Sequence, residues 1–199
     1  MDIPRLKLFT IITVCLCICP ALAFADAGIP MLALIIPGFL VSIIPIIIIE
    51  SLYIKHRLAL TQASAWKTAT ISNLVSTVAG VPLTWLILFI VEIITMRGGM
   101  AYGINTVAGK IIAVTLQAPW LVPYEKDLGW MIPTAGIVLL VPFFFVSWWI
   151  EYLISKKMLR GSDAKAVKRA VRNANLITYG LMALCLLIWL AISSLNLRI

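Results

Sequence analysis

The chain has 199 residues, of which 62% are hydrophobic and 12% charged, with a formal net charge of +8 and a mean hydropathy of +1.07. Soluble domains are about 45–50% apolar and about 25% charged. A water-soluble fold is therefore excluded, as are a disordered, a collagen-like and a disulfide-stapled chain, and an integral membrane protein is expected. The excess of Lys and Arg does not point to nucleic acid, because no run interleaves basic and aromatic residues on a polar surface.

Residues 1–25 have the form of a secretory signal peptide. Arg5 and Lys7 supply a basic start, Leu8 to Cys19 an apolar run, Pro20 a helix break, and Ala23-Phe24-Ala25 small residues at the −3 and −1 positions of a cleavage site. Cleavage would leave a chain beginning at Asp26; an uncleaved first transmembrane helix is the alternative. Cys15, Cys17 and Cys19 lie in this segment with no lipobox before them, and Cys185 has no partner in the mature chain. Neither a disulfide nor a thiolate metal site is expected.

Four later segments, near 30–54, 71–95, 131–154 and 176–195, reach the length of about 20 residues needed to cross a hydrocarbon core as helices. Connections 55–70 and 155–175 carry ten Lys and Arg between them, whereas the opposite side has Arg97, Lys110, Lys126 and Arg198 offset by Asp26, Glu125 and Asp127. The ten-charge side is assigned to the cytoplasm. The expected fold is an all-α membrane protein: a signal peptide, then four transmembrane helices as two parallel-repeat helical hairpins (26–101 and 128–199), joined by an external connection (102–127) with an interfacial helix. Both mature termini then lie outside the cytoplasm of a bacterial-type inner membrane.

In the external connection Ile104, Val107, Ala108, Ile111 and Ile112 share one side at helical spacing. This pattern predicts an amphipathic helix over 103–118 lying at the interface, with a re-entrant element as the alternative. Trp120, Tyr124 and Trp130 suit an aromatic belt. Pro37, Pro45, Pro82, Pro133 and Pro142 fall inside spans, where kinks are expected.

The two cytoplasmic hairpins resemble each other. Glu50, Leu52, Lys55, Leu58 and Thr61 match Glu151, Leu153, Lys156, Leu159 and Ser162 at identical spacing. After one extra residue in the second copy, Asn73-Leu74-Val75-Ser76 matches Asn175-Leu176-Ile177-Thr178. Matched Glu, Lys and Asn carry the weight, because charged residues are scarce in this composition. Two parallel repeats about an axis along the membrane normal would follow. Thr61 and Ser162 are the expected caps of the returning helices. In the second copy Ala164, Val167, Ala170, Val171 and Ala174 form an apolar stripe opposite Lys165, Lys168, Arg169 and Arg172. That pattern predicts a basic amphipathic elbow against anionic headgroups or a protein partner.

Glu50, Asn73, Glu92, Glu151 and Asn175 are the candidate intramembrane polar network. Carboxyl groups within spans are costly and need partners, so each is expected to pair with a neighbouring Asn, Lys or Arg, with a Glu–Asn or Glu–Lys bond in each hairpin, either to lock the bundle or to carry protons or ions. His56 is the one histidine, too few for a nitrogen-ligated metal site or a Ser-His-Asp set. No catalytic residues, cofactor or metal are expected. The composition and motifs lead to a non-enzymatic accessory, assembly or structural subunit of a membrane complex. The alternative is an oligomeric small-solute or ion transporter or channel. Expected partners are other membrane subunits or further copies of the chain, within a bilayer bearing anionic headgroups.

Overall fold

The computed structural model describes residues 29–96, 105–116 and 128–196. Residues 1–25, expected to be a signal peptide, with their three cysteines, and Gly98-Gly99, Trp120 and Tyr124 lie outside the described residues. Those described form five helices and no strand: α1 (Ile29–Leu58), α2 (Gln62–Met96), α3 (Val107–Leu116), α4 (Leu128–Met158) and α5 (Ala164–Asn196). Three of them contain segments long and apolar enough to cross a membrane, Gln62–Thr95, Gly129–Met158 and Ala164–Leu195. Each is 30 residues or more, about 45 Å at the helical rise, against about 30 Å of hydrocarbon. Their ends must therefore reach the headgroup layer. The fourth long helix, α1, has 30 residues. The helices run unbroken through Pro45, Pro82, Pro133 and Pro142.

The turns follow from local backbone needs. At the end of α1, Ala59 takes a left-handed conformation (φ 51°), and the Leu60 amide donates to the Lys55 carbonyl at 3.1 Å. This is a Schellman stop, built here on alanine in a place glycine usually fills. Thr61 then caps α2, its hydroxyl accepting from the Ser64 amide at 3.3 Å. The second turn corrects the expected cap. Asp163, not Ser162, starts α5, its carboxylate accepting from the Lys165 and Ala166 amides at 3.2 and 3.0 Å. The extra residue of this hairpin sits before its cap, so that Thr61 and Asp163 stand at equal distance from Asn73 and Asn175.

The four long helices form a ring in the order α1, α2, α4, α5, with α1 and α5 closing it. Two apolar clusters fill its interior. One, toward the α3 end, gathers Leu88, Val114, Met131, Ala135, Leu139 and Phe143. The other, toward the two turns, gathers Ile54, Leu159, Val167, Val171 and Ala174. The second cluster overturns the expected placement of the α5 elbow. Val167, Ala170, Val171 and Ala174 are buried inside the protein and do not lie on a bilayer surface. Their small side chains let α5 pack closely on its neighbours while the basic residues opposite stay exposed.

The α3 helix lies within the expected 103–118 range. Its hydroxyl cap is Thr106, which accepts from the Gly109 amide at 3.0 Å. Val107 and Ile112, on the expected apolar face, are 66% and 43% exposed on the protein's surface. The buried residues are instead the consecutive Ala113, Val114, Thr115 and Leu116. Val114 and Leu116 of the last turn join the cluster that holds Leu88 and Met131; four consecutive buried residues leave this turn covered on all sides, and helical periodicity does not describe its burial.

Candidate functional site

Between the two apolar clusters lies a polar layer. Glu50 on α1 and Glu151 on α4 are 1% and 2% exposed. An unpartnered charge at such a place is costly. Here every carboxyl oxygen has a donor. The Asn73 amide of α2 donates to Glu50 Oε2 at 2.7 Å. The Asn175 amide of α5 donates to Glu151 Oε2 at 2.6 Å. These two bonds lie within the hairpins. The other two cross between them: the Thr178 hydroxyl of α5 donates to Glu50 Oε1 and the Ser76 hydroxyl of α2 to Glu151 Oε1, both at 2.9 Å.

The supporting contacts repeat as closely. Each asparagine uses its second amide proton on the carbonyl four residues earlier, Asn73 on Ala69 at 3.0 Å and Asn175 on Val171 at 3.2 Å. That bond fixes the amide plane and aims the first proton across to the neighbouring helix. Ser76 and Thr178 sit one turn beyond their asparagines, within 3.0 and 3.1 Å of the Asn73 and Asn175 carbonyls. A hydroxyl there has few rotamers free of the preceding turn, which holds it toward the opposite carboxyl. The arrangement links α1 to α2, α2 to α4, α4 to α5 and α5 to α1. Closer to the turns, the Asn173 amide donates to the Tyr53 hydroxyl at 3.2 Å, a second tie from α5 to α1.

Of the five residues singled out in the sequence, the structure gathers Glu50, Asn73, Glu151 and Asn175 and leaves Glu92 apart. Glu92 is buried on α2, sixteen residues beyond Ser76 and so about 24 Å along the helix. Ser76 and Thr178 were not singled out. Their signal was present in the matched Ser/Thr three residues after each Asn. No described Lys or Arg pairs with either network carboxyl. Lys165, Lys168, Arg169 and Arg172 are exposed on α5, away from this layer.

A cavity of about 140 Å³ adjoins the network, with Asn73, Ser76, Ser147, Glu151 and Tyr179 on its polar side and residues of all four long helices in its wall. It has room for several water molecules. Among the described residues no three His, Cys, Asp or Glu side chains are grouped to hold a metal ion. Comparison with family models, curated proteins and solved structures finds no match for this chain.

Proposed function

We propose that the chain is a non-enzymatic multi-pass protein of a bacterial-type inner membrane that serves as an accessory, assembly or structural subunit of a larger membrane complex. On this reading α1 is a fourth span and residues 1–25 are a signal peptide. The hairpins 26–101 and 128–199 are parallel repeats about an axis along the membrane normal, and both mature termini lie outside. The single observation that carries the proposal is the reciprocal network: two within-hairpin Glu–Asn bonds and two crossing hydroxyl–Glu bonds, paired to within 0.1 Å. Four donors that occupy all four carboxyl oxygens make a clasp, and a clasp fixes how two hairpins meet. The outward apolar residues of α5, among them Leu184, Leu187, Ile192 and Leu195, remain exposed and are free to face lipid or a neighbouring subunit.

The alternative is a transporter or channel, and the cavity beside Glu151 favours it. Four spans enclose little space, so transport would require several copies. Purification from native membranes in mild detergent separates the two readings. The subunit reading expects a stable complex of fixed stoichiometry with other membrane proteins, retained in Glu50→Gln. A homo-oligomer that moves ions or protons in liposomes, and loses that flux in Glu50→Gln while staying folded, would establish the transporter.

A further inference from the structure

The α5 helix begins with its charges at the unfavourable end. Lys165, Lys168, Arg169 and Arg172 lie within its first three turns with no acidic residue in the first, where the helix dipole already presents positive potential. Among the described residues the Asp163 cap is the one carboxylate at this end, and its oxygens accept from backbone amides. None of the four basic side chains pairs with a carboxylate among the described residues. Lys165, Lys168 and Arg172, spaced i, i+3 and i+7, share one face. Lys168 is held in place: its ammonium lies 5.6 Å from the Trp148 ring centroid and 5.8 Å from that of Tyr152. Below it is a groove of about 230 Å³ walled by Trp148, Trp149, Tyr152 and Leu153. Trp149 and Leu153 are 67% and 49% exposed on the outward side of α4, which in a membrane is the side that meets acyl chains.

We propose that this groove is a binding site for one anionic phospholipid of the leaflet that borders the two hairpin turns. The phosphate sits on Lys168, flanked by Lys165 and Arg172, and the upper acyl chain lies along Trp149 and Leu153. Charge complementarity selects the ligand. A cation already ordered on two aromatic rings loses little freedom on meeting a phosphate, and the surrounding uncompensated positive charge favours a lipid of net negative charge over a zwitterionic one. The proposal rests on the reading of the chain as a membrane protein with its basic turns in one headgroup layer.

The test uses the full chain in detergent with equimolar phosphatidylglycerol and phosphatidylcholine, and counts bound lipids by native mass spectrometry. The wild type is expected to retain one phosphatidylglycerol in preference to phosphatidylcholine. Lys168→Gln should lower that adduct at least five-fold and Lys168→Arg should keep it. Lys67→Gln, which removes an exposed charge near the start of α2, should leave it unchanged. Equal retention of the two lipids by the wild type, or equal losses in Lys168→Gln and Lys67→Gln, would overturn the site in favour of diffuse attraction. Alkaline carbonate extraction of membranes checks the underlying reading separately: release of the chain would refute membrane insertion itself.

Discussion

At Glu50 the arrangement of donors decides what a substitution does. Glutamine keeps one acceptor oxygen for the Asn73 amide, and its new NH2 can donate to Thr178, whose hydroxyl is able to turn and accept. All partners stay satisfied, so Glu50→Gln is expected to change unfolding stability by less than about 1 kcal/mol, within the usual range for a retained hydrogen bond. Glu50→Ala leaves one Asn73 amide proton without its acceptor, while the Thr178 hydroxyl can turn to the Asn175 carbonyl 3.1 Å away. The expected cost of this substitution is about 1–3 kcal/mol, the penalty for a stranded buried polar group. Unfolding followed by circular dichroism in mixed micelles checks both values; equal losses in the two variants would mean that charge, not hydrogen bonding, is what the site needs. The Glu–Asn half of this site was legible in the sequence, because matched acidic and amide residues are conspicuous in so apolar a chain. The crossing half was not. Which hydroxyl meets which carboxyl depends on how two hairpins dock, and the separation of 75 residues between Ser76 and Glu151 carries no local signal.

At the scale of elements, turn chemistry and burial explain where expectation and structure part. Hydropathy located the long helices, since lipid demands that each satisfy its own backbone. It did not locate what the apolar stripe of the α5 elbow packs against. A stripe of Ala and Val suits a protein interior as well as a headgroup boundary, and Val167 and Val171 went to the interior. The cap of α5 was misplaced by one residue because Ser162 and Asp163 are both good caps, and the extra residue of the hairpin lies before the cap. The structure separates them by experiment: Asp163→Ala is expected to cost about 1 kcal/mol, as the loss of an N-cap does, and Ser162→Ala to be nearly neutral. Thermal unfolding of the two variants in the same detergent measures the difference, and a larger loss at Ser162 would contradict the assigned helix start.

For the whole molecule, a polar layer between two apolar clusters ties four long helices into one ring. Such contacts between membrane helices are worth about 0.6 kcal/mol on average, so the layer fixes register more than it supplies stability, and the apolar clusters carry most of the packing. The proposed orientation is testable by labelling. In a Cys185→Ser background, cysteine introduced at Gly99 should react with an impermeant maleimide added outside intact cells, and cysteine at Gly161 only after lysis. The reverse pattern would invert the topology and place the basic face of α5 outside.

The central claim is that the hairpins hold each other reciprocally through hydroxyl–carboxyl bonds. A double-mutant cycle at Thr178 and Glu50 tests it most directly, with unfolding free energies for Thr178→Val, Glu50→Ala and the double variant. A parallel cycle at Ser76 and Glu151 tests the second arm. The account expects coupling of about 0.6–1.7 kcal/mol in each cycle, the span from average to largest for polar contacts between membrane helices, and of similar size in the two. Additive losses in both cycles would show that the crossing bonds do not join the hairpins and would contradict the clasp.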